Sequence, residues 1–127
     1  MDNFSSIRNK GGSTVTVKKI TPEELYKKLN GQEKVLIVDV RAEDKYHDFH
    51  IEGAGNESLN INKEKIFKLE DGAQEDFQLL PKDKEIIITC TTGNSATKCG
   101  NILSEREYNV VVLEGGITAW KDYLEKK

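Results

Sequence analysis

The chain has few residues that cross-link a fold or break its helices and strands, with two cysteines and two prolines among 127 residues, and it has one tryptophan. Two cysteines in so charged a sequence do not form a disulfide framework, and no group of Cys and His has the spacing of metal ligands. The sequence therefore predicts a protein of a reducing, cytoplasmic compartment that uses no metal and no cofactor.

Long apolar runs and an excess of positive charge are also missing. No stretch approaches the ~20 apolar residues that span a bilayer. The net charge is −3, with lysines and arginines dispersed among acids, which argues against a basic surface that binds nucleic acids or membranes. We expect a monomer whose partner is a small molecule or another protein.

The first residues differ in composition from the rest. Residues 1–13 are polar, lack the apolar segment of a signal peptide and end in Gly11-Gly12-Ser13, which is typical of a disordered tail or a linker. Residues 14–127 are long enough for one domain with its own core. The chain could therefore be one piece of a longer protein.

Short β-branched runs alternate with amphipathic segments over residues 14–127. Buried strands are predicted at Val35–Val38, Ile86–Thr89 and Val110–Leu113, with an edge strand at Val15–Ile20 and a weaker one at Ser58–Ile61. Helices are predicted from Thr21-Pro22 to Leu29, at Glu43–Phe49, in one or two pieces of 62–80 broken near Asp71-Gly72, at 96–106 and at 117–124. This alternation predicts an α/β protein with a parallel sheet covered by helices on both faces.

Cys90 stands where the apolar run Ile86–Thr89 stops and a polar loop containing Gly93 begins. A cysteine at the carboxyl end of a parallel strand faces the N-terminus of the following helix. The N–H groups of such a loop, with the helix dipole behind them, favour a thiolate over a thiol. The alternative is an inert buried cysteine, which is common for this residue type.

Four motifs, in the same order along the chain, resemble those of the rhodanese (sulfurtransferase) family in its single-domain form. They are Asp39-Val40-Arg41, His50-Ile51-Glu52-Gly53-Ala54, Cys90-Thr91-Thr92-Gly93 and Leu113-Glu114-Gly115-Gly116-Ile117-Thr118-Ala119-Trp120. The resemblance, from about Val15 to Leu124, implies a three-layer sandwich around a five-stranded parallel sheet of order 1-5-4-2-3.

The resemblance also implies that Cys90 carries a persulfide. Its thiolate would take the sulfane sulfur of thiosulfate, a persulfide or a polysulfide and pass it to a thiol, cyanide or a protein. The residues expected to bind this sulfur through their N–H groups are Thr91, Thr92, Gly93, Asn94, Ser95 and Ala96.

The loop departs from its relatives at three places. Ser95 stands where many single-domain members have arginine, and Thr91 and Thr92 stand where thiosulfate enzymes place cations. We therefore expect thiosulfate to be a poor donor. Lys45 matches a position where some relatives carry a basic residue at the pocket rim, although a solvated lysine explains it equally well.

The other polar motif residues are expected to support the site. In the family, Asp39 and Arg41 mainly form a structural ion pair, with direct substrate contact as the alternative. His50 could act as an acid or base, but transfer to a thiolate needs none, so we interpret it as fixing a turn. Cys99 is expected in the core, too far from Cys90 for an easy disulfide.

Trp120 and Tyr123 are predicted to anchor the last helix. The glutamates and lysines between Asn62 and Lys84 are interpreted as a solvated face.

Two other functions compete with sulfur transfer. Phosphatases and arsenate reductases of this fold use a Cys-x5-Arg loop, but position 96 is alanine and position 95 is serine, so the arginine that binds the oxyanion is missing. The second alternative is a rhodanese-like regulatory or interaction module joined to other domains through Gly11-Gly12. Retention of Cys90 disfavours an inactive module but does not exclude one.

Overall fold

A computed structural model describes residues 17–31, 34–52, 57–70 and 80–127. The strands are β1 Lys18–Ile20, β2 Val35–Asp39, β3 Glu57–Asn60, β4 Glu85–Thr89 and β5 Val110–Leu113. The helices are α1 Pro22–Asn30, α2 Glu43–Asp48, α3 Lys63–Glu70, α4 Asn94–Ser104 and α5 Gly116–Lys126. The expected tail at 1–13 and the expected break at Asp71-Gly72 lie outside the described residues.

The five strands form one parallel sheet in the order β1-β5-β4-β2-β3, so the predicted order 1-5-4-2-3 is confirmed. β2, β4 and β5 lie in its middle, and their residues are almost all buried. Such continuous burial is what helices on both faces of a parallel sheet produce.

Alternate residues of the central strands enter two separate cores. Leu36, Ile86 and Val112 belong to a cluster that includes Ile66 of α3 and Cys99 of α4. Ile37, Ile87 and Val111 belong to a cluster with residues of the other layer, Leu25 and Leu29 of α1 and Ile117 and Trp120 of α5. The period of two along each strand therefore divides the helices into an α3/α4 layer and an α1/α5 layer.

α1 begins with a capping box formed by Thr21 and Glu24. The Thr21 hydroxyl accepts a hydrogen bond from the Glu24 N–H at 3.1 Å, and the Glu24 carboxylate accepts one from the Thr21 N–H at 3.0 Å. These two bonds satisfy N–H groups that have no partner within the helix.

Element bounds differ from the predicted ones by one to two residues at several ends. α4 begins at Asn94 instead of residue 96, because Gly93 takes the left-handed conformation that precedes the first turn. α5 begins at Gly116 and reaches Lys126. Within the described ranges, no helix is long and apolar enough to cross a membrane.

Candidate active site

Cys90 is the first residue after β4, and the residue is 6% exposed. Its Sγ accepts hydrogen bonds from the N–H of Gly93 at 3.0 Å and from the N–H of Ala96 at 3.3 Å. Two N–H donors that converge on one sulfur beside a helix N-terminus stabilise negative charge there. The loop and α4 together thus form an anion site around this sulfur.

Gly93 makes the loop curl around Sγ. Its φ of 105° lies in the left-handed region, where a side chain would be strained, and a Cβ there would come within 3.3 Å of the Gly115 nitrogen. Its carbonyl oxygen accepts hydrogen bonds from the N–H and the hydroxyl of Thr97 at 3.0 and 2.8 Å. Gly93 therefore directs its N–H to the sulfur and its carbonyl oxygen into α4.

The start of α5 supports the other side of the loop. The N–H of Ile117 donates to the Cys90 carbonyl oxygen at 2.8 Å, and the N–H of Thr118 donates to the Thr91 carbonyl oxygen at 3.0 Å. Gly116 has a φ of 60°, and a Cβ on it would overlap both of those carbonyl oxygens. The absence of a side chain at Gly116 thus lets the start of α5 pack directly against the Cys90 loop.

A cavity of about 390 Å³ opens in front of Cys90. The structure places four of the six predicted loop residues on its wall, namely Thr91, Thr92, Asn94 and Ser95. Gly93 and Ala96 are buried, and each contributes its N–H to Sγ. Asn94 and Ser95 lie in the first turn of α4, where helix geometry leaves the N–H groups without an intrahelical acceptor.

Asp39 and Arg41 form the ion pair that the sequence predicted. The Arg41 guanidinium lies 2.7 Å from the buried Asp39 carboxylate, which also accepts the Arg41 backbone N–H at 3.0 Å. The same guanidinium donates to the Phe49 carbonyl oxygen, and Arg41 is one of the residues that line the cavity. The pair ties the end of β2 to the segment after α2, and its charges cancel.

His50 lies at the turn after α2, away from the wall of the Cys90 cavity. Its Nδ1 is 2.9 Å from the Tyr46 carbonyl oxygen, and its Nε2 is 2.8 Å from the Glu52 carboxylate. Its ring stacks on Tyr46 with centroids 4.0 Å apart. These contacts suit the turn-fixing role predicted for it.

Two lysines from different helices line the cavity. Lys45 of α2 is the rim residue that the sequence suggested. Lys63 and Glu64 of α3 also line it, which corrects the interpretation of this segment as only a solvated face. The α3 N-terminus is held there because the N–H of Lys63 donates to the Val40 carbonyl oxygen at 3.0 Å. Charge pattern along the chain did not reveal this contact, since it joins residues far apart in sequence.

Cys99 lies in the core of the α3/α4 layer with no exposed surface, as predicted. Burial, with a smaller effect of Cys90, raises the pKa of the Cys99 thiol to about 12. It therefore stays a neutral thiol at physiological pH. Among the described residues, no three His, Cys, Asp or Glu side chains are grouped so that they could hold a metal.

Comparison with known proteins defines the class to which this fold and site belong. The family model of the rhodanese-like domain matches residues 21–123, so the chain belongs to the rhodanese-like domain family. The structure of a rhodanese-related protein of Thermoplasma volcanium shares the fold, with a TM-score of 0.68 and 24% identity over 84% of this chain and 92% of that one.

Two relatives have names that include sulfur transfer. YtwF of Bacillus subtilis, named as a sulfurtransferase, is 26% identical over 87% of this chain and 97% of its own length. MoeZ of Mycobacterium tuberculosis, named as an adenylyltransferase/sulfurtransferase, is 31% identical over 84% of this chain. The chain covers 25% of the length of MoeZ, so it spans about a quarter of the larger curated relatives that it matches.

Proposed function

We propose that the protein moves a sulfane sulfur from a small donor to a thiophilic acceptor through a persulfide on Cys90. The observation that carries this proposal is the pair of N–H groups, from Gly93 and Ala96, that point at Sγ on the floor of an open cavity. Family membership and the names of YtwF and MoeZ support the same chemistry.

The reaction needs two displacements at sulfur and no external oxidant. In the first, the Cys90 thiolate attacks the outer sulfur of a persulfide R–S–SH, the Sγ–S bond forms, the S–S bond to the donor breaks, and R–S⁻ leaves. In the second, the acceptor attacks the outer sulfur of the deprotonated Cys90 persulfide and releases the Cys90 thiolate. A thiol, cyanide or a protein thiol can serve as acceptor.

In this reaction the N–H groups of the loop take the role that a positively charged side chain has in other active sites. They stabilise negative charge on sulfur while offering no acidic proton that would quench it. In this proposal the N–H groups of Asn94 and Ser95, in the first turn of α4 on the cavity wall, stabilise the charge when it moves one atom outward, onto the terminal sulfur.

Intact-mass spectrometry tests the proposal directly. Incubation with a sulfane donor is expected to add one sulfur, about 32 Da, to the wild-type chain, because only Cys90 has the environment of a nucleophilic thiolate. The adduct should disappear on addition of cyanide, with thiocyanate as the product.

Cys90→Ser and Cys99→Ala are the matched controls. The first should carry no adduct, and the second should carry the full adduct. An adduct that persists in Cys90→Ser would contradict the assignment. A wild-type chain that takes no sulfur from thiosulfate, glutathione persulfide or mercaptopyruvate would instead favour the regulatory or interaction module.

A further inference from the structure

Lys63 occupies an unusual place for a lysine on a short surface helix. It is the first residue of α3, it is half-buried, and it lines the same cavity as Cys90. The Asn62 side chain accepts the Glu64 N–H at 2.9 Å and so caps the helix directly before it. The backbone of Lys63 is therefore held at the cavity wall, and its position does not depend on the side chain.

The charged residues on the cavity wall are Arg41, Lys45, Lys63 and Glu64. Arg41 is neutralised by buried Asp39. Neither lysine forms an ion pair with another of the residues that the structure describes. Glu64 is the acidic residue on the wall. Lys45 and Lys63 outnumber Glu64, so the part of the wall outside the Cys90 loop has a net positive charge, while the loop itself carries no cation.

The two lysines come from other elements than the loop that holds the sulfur. The N–H groups at Sγ belong to the loop, whereas Lys45 belongs to α2 and Lys63 to α3. A volume of about 390 Å³ admits a molecule well beyond the size of thiosulfate. A donor that presents its sulfur to Cys90 and an anionic group some atoms away would satisfy both ends.

We propose that Lys63, with Lys45, binds the carboxylate of an organic persulfide donor and so determines donor specificity. This inference rests on the proposed sulfur transfer and assigns its substrate class, a low-molecular-weight thiol persulfide that bears a carboxylate. Lys63 acts on binding and not on the displacement at sulfur, so its charge lowers KM for such donors and leaves kcat nearly unchanged.

The test compares an anionic with a cationic donor in steady-state kinetics. Lys63→Gln should raise KM for glutathione persulfide on the order of tenfold, the lower end for a charge-assisted hydrogen bond, with little change in kcat. The same variant should leave KM for cysteamine persulfide, which carries an amine, unchanged or lower. Glu64→Gln should shift KM for glutathione persulfide downward.

Lys65→Gln is the matched control, since Lys65 is exposed on the same helix and does not line the cavity. Lys65→Gln should leave the KM values for glutathione persulfide and cysteamine persulfide unchanged. Equal losses with both donors in Lys63→Gln would mean a structural role and would overturn the inference, as would unchanged KM values. If the wild-type chain forms no Cys90 persulfide with any donor, the proposed sulfur transfer is wrong. The mass spectra described above detect that outcome independently of Lys63.

Discussion

Single residues in this molecule owe their chemistry to burial and to the direction of neighbouring N–H groups. Cys90 and Cys99 are both buried and lie in the same apolar cluster. Cys90 accepts two N–H hydrogen bonds and opens onto a cavity, whereas burial alone dominates at Cys99. The two buried thiols therefore have different surroundings, and only the proposal of sulfur transfer assigns a reaction to Cys90.

The thiol of Cys99 should make the protein less stable at alkaline pH. Its pKa rises from 9.0 to about 12 on folding, so above pH 9 the unfolded chain releases a proton that the folded chain retains. The stabilising contribution is complete below pH 9 and is lost as the pH rises toward 12. We expect the Tm of the wild type to fall more steeply between pH 8.5 and pH 10.5, roughly the lower half of that interval, than the Tm of Cys99→Ala.

The comparison of slopes separates this effect from the loss of packing. Cys99→Ala lowers Tm at every pH because it leaves a small cavity, but that offset does not depend on pH. Parallel Tm curves for the two proteins would show that Cys99 ionises in the folded state as easily as in the unfolded chain.

At the scale of elements, some helices line or support the Cys90 cavity and others only stabilise the fold. The first turns of α3 and α4 line the Cys90 cavity, and the first turn of α5 supports its loop from behind. α1 contributes no residue to the cavity wall. Changes in α1 should therefore alter stability without altering sulfur transfer.

The capping box of α1 tests this division. Thr21→Ala removes the hydroxyl that accepts the Glu24 N–H and is expected to lower the free energy of unfolding by about 1 kcal/mol. Urea unfolding measures that loss, while persulfide loading of Cys90 should keep its wild-type rate. Glu23→Gln is the control, because among the described residues Glu23 forms an ion pair with exposed Lys27, and such exposed pairs contribute little. A slower loading rate in Thr21→Ala would contradict the separation of α1 from the site.

At the scale of the whole molecule, the Cys90 loop contains no arginine that could bind an oxyanion. The N–H groups of Gly93 and Ala96 already reach Sγ, so the loop closes around one sulfur. The Ala96 side chain is fully buried in the core and does not face the cavity. The position where a phosphatase holds its arginine is here part of the hydrophobic packing.

We therefore expect no phosphatase activity from this chain. Hydrolysis of p-nitrophenyl phosphate by the wild type should equal that of Cys90→Ser, because the loop lacks the arginine and the general acid that phosphoryl transfer uses. Ala96→Arg should not create the activity and should destabilise the core. Ser95→Arg places an arginine on the cavity wall instead and should still hydrolyse no phosphate ester. Hydrolysis that depends on Cys90 in any of these proteins would overturn the prediction.

The sequence alone determined the fold class, the strand order through its family motifs, and the place of Cys90. These follow from local patterns, since the periodicity of apolar residues, the capping residues and the loop glycines can each be recognised within a few neighbouring positions. Only the tertiary structure decided that Lys63 and Glu64 share a cavity with Cys90 and that Gly116 supports its loop. Those contacts join elements that are distant along the chain but meet at the carboxyl edge of a parallel sheet, so no local pattern encodes them.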